Sequence, residues 1–224
     1  MNRLINIILV ARGAEYQAVC RGLKQAKCNQ QKVVAIPIGI NNIKRYLEAI
    51  PFGQPQPQSA LLMGLCGSLT WQYRVGDKVL YQSCNYHDRT LVTDESLTHA
   101  IWQKLSKSVA LANSVTSDRP ICLASEKLRL GNIYPNSVVD MEGFAYLQAL
   151  QKRGVAVAML RTVSDDLTGD IPNLARAIDD KGNLKTFDLA IAMLQQPIAA
   201  TRLIKGSLIG LKALQQITAE LFSS

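Results

Sequence analysis

Short apolar runs alternate with amphipathic stretches from the start of the chain. Leu4 to Val10 has the pattern of a buried strand, and Ala14 to Gln25 sets Val19 and Leu23 four apart on one helical face. Val33 to Ile38 predicts a second strand and Asn41 to Ile50 a helical stretch, followed by a proline-rich connector from Pro51 to Gln58 that is too short to link domains. Ser59 to Met63 predicts a third strand running into a glycine turn, Gly64-Leu65-Cys66-Gly67-Ser68. Beyond Gly76-Asp77, Lys78 to Ser83 predicts a fourth strand, Ser96 to Lys107 a helix, and the residues around Ile121 and Leu123 a weaker strand. Ser137 to Asp140 predicts a short strand and Gly143 to Lys152 a helix. Val155 to Val163 is nearly continuous in apolar residues, as a central parallel strand is. Leu184 to Phe222 reads as helix interrupted at Pro197. This alternation predicts one α/β domain over residues 1–224, with a central mixed, mostly parallel sheet flanked by helices in three layers.

Composition narrows the classes. At 224 residues and 48% hydrophobic, with a mean hydropathy of +0.05, the chain can bury a sizeable core. No apolar run is long enough to span a bilayer. The apolar start is broken by Asn6 and followed by Ala11-Arg12-Gly13, which suits a first strand better than a signal peptide. Five scattered cysteines without a Cys-x-x-Cys pair, and two histidines outside zinc-ligand spacing, predict reduced thiols, a cytoplasmic setting and no metal site. The net charge of +8 favours anionic partners, but no recognition-helix pattern or interleaving of aromatic and basic residues points to nucleic acid.

In open α/β sheets ligands collect at the carboxyl ends of strands. Here those ends carry Ala11-Arg12-Gly13-Ala14-Glu15, the Gly64–Ser68 turn, Asp140-Met141-Glu142-Gly143 and Ser164-Asp165-Asp166. Three of the four bear carboxylates, and the glycine turn can bring backbone N–H groups to an oxyanion or a water. On physical grounds alone this is a small-molecule site rich in acids.

The same segments carry a resemblance. Gly64-Leu65-Cys66-Gly67-Ser68-Leu69, Val75-Gly76-Asp77, Val139-Asp140-Met141-Glu142 and Arg161-Thr162-Val163-Ser164-Asp165 resemble the ordered motifs of the nucleoside phosphorylase/nucleosidase family. That family includes purine nucleoside phosphorylases and methylthioadenosine/S-adenosylhomocysteine nucleosidases. Tyr86-His87-Asp88 is similar to a nucleosidase segment. The Val-Asp-Met-Glu form and Asp180-Lys181-Gly182-Asn183 look more like the hopanoid-associated phosphorylase branch.

The resemblance implies cleavage of the N-glycosidic bond of a purine nucleoside, such as a 5′-substituted adenosine, with no cofactor beyond inorganic phosphate as a co-substrate. It makes Asp165 the acid at purine N7, a role that calls for a raised pKa, which burial and the neighbouring Asp166 would supply. The ordinary alternative is a pair of helix-capping aspartates. Glu142 corresponds to the acceptor of the ribose hydroxyls, or else to a helix-start acid favoured by the dipole. Met141 would pack on the ribose or simply join the core. Glu15 corresponds to the residue that positions a nucleophilic water, Gly67 would offer its N–H, and Ser164 belongs to the same substrate-binding set. Asp140 and Arg161 would orient the site or pair with each other, His87 would be a surface or interface residue, and Cys66 a buried small residue.

Family phosphorylases carry an arginine and a serine where this chain has Leu62 and Leu65. Arg12 and Ser68 are then the candidates for binding phosphate, so water and phosphate both stay open, with a lean to phosphorolysis of the hopanoid-associated kind. Ala124-Ser125-Glu126-Lys127 falls where family members contact the base and does not match the nucleosidase pattern. Between Pro197 and Leu214, Arg202, Lys205 and Lys212 interleave with Leu203, Ile204, Leu208, Ile209 and Leu211, without an acid. That is the pattern of a basic helix at a membrane surface, or of a terminal helix packed on the sheet with its lysines in water. The family also implies at least a homodimer. A non-catalytic nucleoside-binding module is the competing class, and a nicotinamide fold is disfavoured because the turn is Gly-x-x-Gly after the third strand.

Overall fold

The computed structural model describes residues 1, 4–37, 46, 58–105, 108–174 and 185–223. The helix expected over 41–50 (Tyr46 apart), most of the proline-rich connector and the 180–183 motif lie outside the described residues.

Eight strands form one sheet. They are β1 (Ile7–Ala11), β2 (Lys32–Ile36), β3 (Ser59–Ser68), β4 (Lys78–Tyr86), β5 (Arg89–Val92), β6 (Ala110–Thr116), β7 (Ser137–Asp140) and β8 (Ala156–Asp165). The described helices are α1 (Ala14–Gln25), α2 (Glu95–Leu105), α3 (Ala124–Ile133), α4 (Gly143–Gln151), α5 (Thr186–Gln195) and α6 (Pro197–Phe222). Strand order runs β2-β1-β3-β7-β6-β4-β5, and β8 pairs with both β3 and β4. The five middle strands therefore close on themselves. β1 pairs in parallel with β2 and β3, β3 with β8, and β6 with β4 and β7, while β3–β7, β4–β5 and β4–β8 are antiparallel. The sheet is mixed and mostly parallel, as the sequence pattern predicts.

Alternating side chains feed two cores because successive residues of a strand face opposite ways. Ile7, Leu9, Ala60, Leu62, Val157 and Met159 pack with Phe144, Tyr146, Leu147 and Leu150 of α4 on one face. Ile8, Val10, Leu61, Met63, Ala158 and Leu160 pack on the other, against Val19 and Leu23 of α1, Ile101 of α2, and Leu214, Ile217 and Leu221 of α6. Helices on both faces of one sheet give three layers.

Two local expectations are corrected. The Gly64–Ser68 segment is the second half of β3 and not a turn; its glycines remove side-chain bulk, and the pairing with β8 shifts register between Cys66 and Gly67. The residues around Ile121 and Leu123 form no strand but lead into α3. The strand that fills that part of the sheet is β6, whose Asn113 and Ser114 mask it as polar.

Candidate active site

β1, β3 and β8 run in parallel; β1 ends level with Gly64, β3 and β8 run on to Ser68 and Asp165, and the acids stand near these ends. After β1 the chain turns through Gly13, whose φ of 94° is one that glycine adopts without strain. This turn sets Glu15 in the first turn of α1, where its Oε2 accepts a 2.8 Å hydrogen bond from the Leu65 N–H. Gly64 makes the approach possible, since a Cβ there would collide with both the Glu15 carboxylate and the Arg161 guanidinium. Gly67 in the same way leaves room for the Asp165 carboxylate.

α4 begins directly after β7, and Asp140 organises its start. Its Oδ1 accepts from the Thr116 hydroxyl at 2.9 Å, from the Gly143 N–H at 2.9 Å and from the Glu142 N–H at 3.3 Å. Thr116 Oγ1 in turn accepts from the Phe144 N–H at 2.9 Å. Free N–H groups at a helix start are thereby satisfied, and Glu142 is fixed beside β8. There the Glu142 carboxylate lies 2.9 Å from the Arg161 guanidinium, with Asp140 Oδ2 at 3.9 Å.

Arg161 is fully buried at the centre of three acids. Burial disfavours its charge, but Glu142, Asp140 and Glu15 outweigh this and hold its pKa above the ordinary value. One guanidinium does not neutralise three carboxylates. Burial pushes the Glu142 carboxyl up to about 7 despite Arg161, and it also raises Glu15, against the opposing pull of Arg161 and the Leu65 hydrogen bond. Glu15, although at a helix start, is thus enclosed and not a fully solvated acid.

At the end of β8, Asp165 Oδ1 accepts a 2.8 Å hydrogen bond from Ser164 Oγ, and Oδ2 is paired with the ammonium of Lys127 on α3. Asp166 follows directly in the chain. That side chain turns away, accepting from the Thr168 N–H and hydroxyl at 2.9 and 2.6 Å and from the Val75 N–H at 3.2 Å. Burial acts to raise its pKa, but these hydrogen bonds outweigh it and hold the carboxyl below its ordinary value.

These groups face one cavity of about 530 Å³, within the range of small-molecule sites. Glu15, Gly67, Met141, Glu142, Ser164 and Asp165 all line it. Its far wall is apolar, built by Ile171 and Leu174, by Leu189 and Met193 of α5, and by Leu203 and Leu208 of α6. α6 comes this close because Gly206 and Gly210 carry no side chain; a Cβ on Gly206 would strike the Ser164 carbonyl, and the Gly210 carbonyl accepts from Thr162 Oγ1 at 2.9 Å.

Two sequence candidates fall outside the cavity lining. Arg12 is exposed, its guanidinium 5.8 Å from the centre of the Tyr46 ring. Ser68 is buried and closes a local turn with the Thr70 backbone. His87 is exposed at the surface near Asp118, and Cys66 is buried, its thiol pKa raised chiefly by that burial. Sequence reasoning named Lys127 only within the stretch that falls at the base and gave it no role, since a lysine in an otherwise unpatterned stretch carries no periodic mark of burial. Among the described residues no cluster of His, Cys, Asp and Glu suits a metal ion.

Residues 21–195 match the family model described as the phosphorylase superfamily. No curated protein sequence matches the chain. Among solved structures, the 5′-methylthioadenosine/S-adenosylhomocysteine nucleosidase of Helicobacter pylori, bound to butyl-thio-DADMe-Immucillin-A, is similar with a TM-score of 0.65 and 16% identity over 95% of this chain and 97% of that one. The futalosine hydrolase of Helicobacter pylori is similar with a TM-score of 0.66 and 17% identity over 97% and 98%. The Neisseria meningitidis nucleosidase, in complex with methylthio-immucillin-A, has a TM-score of 0.66 and 15% identity over 96% and 98%.

Proposed function

The chain belongs to the phosphorylase superfamily, and from that membership we propose that it cleaves a purine nucleoside bearing an apolar 5′-substituent, with water as the nucleophile. The observation that carries this reading is the cavity itself. Acids with distinct environments line one part of it, and apolar residues of α5, α6 and the Ile171–Leu174 segment line another.

Breaking the C1′–N9 bond leaves electrons on the purine and positive charge on the ribose. Asp165 delivers a proton to N7. Glu142 accepts hydrogen bonds from the ribose hydroxyls and, when ionised, stabilises the cationic sugar. Glu15, enclosed and raised in pKa, orients a water toward C1′ and takes its proton. Met141 and Ser164 flank the sugar and the base. The electrostatics favour water over phosphate, because Glu15 and Glu142 would repel a phosphate dianion and Arg161 is already engaged. Arg119, also on the cavity wall, is held by Glu126 at 2.5 Å. With the reacting end fixed at the strand ends, the apolar wall receives the 5′ group. A thioether, a longer alkyl chain or a polycyclic hydrocarbon of the adenosylhopane type belongs to that class.

Two partner readings accompany this one. Phe187, Leu194 and Ile198 are 76%, 81% and 78% exposed beside Lys185 and Lys205, which suits contact with an anionic bilayer surface. No described helix is long and apolar enough to cross a membrane. Assembly into at least a dimer is the second reading, and light scattering measures it.

The test is purine release from 5′-methylthio- and 5′-alkyl-substituted adenosines, with and without phosphate. Phosphate-independent release, faster for the alkyl compound, is the expected result. Strict dependence on phosphate with formation of ribose 1-phosphate would make the enzyme a phosphorylase, and binding without turnover would make it a nucleoside-binding module.

A further inference from the structure

Lys127 has no exposed surface at all, an uncommon state for a lysine. It sits in the first turns of α3, behind Asp165 and outside the cavity lining. Its ammonium meets Asp165 Oδ2, while Asp165 Oδ1 is held by Ser164 and the carboxylate faces the cavity. The titratable groups around the pair are the Cys122 thiol, from the segment leading into α3, and the Cys66 thiol of β3; Arg119 lies beyond Cys122. Asp166 faces away.

A buried ammonium and carboxylate have two arrangements of equal net charge: an ion pair, and a neutral amine beside a carboxylic acid. Moving the proton between them changes no net charge, and removal from water penalises the ionic form more. A lone aspartate would instead draw its proton from bulk water, which near neutral pH leaves it ionised.

We propose that Lys127 is the proton reservoir of Asp165, a positioning residue that lets an aspartate act as an acid at neutral and alkaline pH. As the C1′–N9 bond breaks, its electron pair moves into the purine. The proton on Lys127 Nζ passes to Asp165 and from Asp165 to N7, leaving a neutral lysine, an aspartate and a purine protonated at N7. The nucleophilic water forms its bond to C1′ and gives its proton to Glu15. Solvent restores the Lys127 proton once the products leave. The inference rests on the proposed glycosidic cleavage.

The experiment measures purine release between pH 5 and 10 by the wild type, Lys127→Met and Lys127→Arg. Each enzyme is assayed on a 5′-substituted adenosine and on its N7-methylated form, whose cationic base leaves without a proton. Lys127→Met is expected to lose about 100-fold or more on the ordinary substrate above pH 7, within the usual contribution of a positioned acid. Its alkaline limb should move to lower pH, and its loss on the methylated substrate should stay within a few-fold. Lys127→Arg keeps the charge but holds its proton too tightly to give it up, so it should share the pH-dependent loss. Full rescue by arginine, an unmoved alkaline limb, or equal losses on both substrates would overturn the proposal. Arginine decides the matter if the methionine variant does not fold. Failure of the glycosidase reading looks different: the wild type itself would release no base from either compound.

Discussion

Arg161 answers to Glu142, Asp140 and Glu15 at once, so no member of the group can be changed alone without leaving buried charge unbalanced. Arg161→Met is expected to destabilise the fold by about 3–5 kcal/mol, the usual result of stranding a buried ion, and urea unfolding measures it. Asp165→Asn keeps the side-chain shape, removes the proposed proton carrier and leaves the buried Lys127 ammonium without its carboxylate, so some stability is lost as well. Turnover should drop by orders of magnitude while nucleoside binding, followed by calorimetry, changes little. Glu142 titrates inside the working range. With its carboxyl at about 7 in the fold, kcat/KM should fall on acidification below that value, because a protonated Glu142 loses acceptor capacity toward the ribose hydroxyls. The stability effect has the opposite direction. Between an ordinary value of 4.5 and about 7 the folded chain holds a proton that the unfolded chain has released, so stability is greater at low pH and is lost as pH rises through 7. Melting temperatures at pH 5 and pH 8 should differ by several degrees for this reason, and Glu142→Gln should shrink the gap.

At the scale of elements, the two glycines of α6 set how closely a helix approaches the backbone of β8. Gly206→Val should cost at least about 1–3 kcal/mol by overpacking against the Ser164 carbonyl. It should also lower activity more than a valine on the solvent side would, and a thermal melt run beside the purine-release assay separates the two effects. The same physics decides which elements are legible in the sequence. α1, β7, α4, β8 and the α5–α6 break at Pro197 stand out because each buries one regular set of apolar side chains. β6 does not, since Asn113 and Ser114 sit inside the sheet, where Ser83 donates to the Asn113 side chain at 2.9 Å. α3 hides because its buried residue is a lysine. β3 reads shorter than it is because Gly64 and Gly67 signal turns in general, whereas here they clear space for charged side chains. The acids of the site are legible because they lie at predictable strand ends. Lys127 is not, because burying its charge depends on a partner 38 residues away in the chain.

For the whole molecule, the reacting end and the apolar wall come from different layers. The strand ends and the α4 start hold the acids, and α5 and α6 hold the hydrocarbon side. Substrate preference at the 5′ position should therefore change independently of the chemistry. Leu208→Glu is expected to abolish the advantage of 5′-alkyl compounds while leaving turnover of unsubstituted adenosine within a few-fold, as competition between the two substrates would reveal. Vesicle flotation tests the outer surface: wild type should rise with anionic liposomes, and Phe187→Ser with Leu194→Ser should not.

The span of chain that encloses the cavity has a consequence for biosynthesis. In the order of synthesis Glu15 precedes Asp165, and both precede Leu203 and Leu208. Every acid of the site is thus made before the helix that roofs it. A chain interrupted near Pro197 would lack α6, leaving bare the faces of α1 and the sheet that Leu214, Ile217 and Leu221 cover, and chaperones would meet that apolar surface.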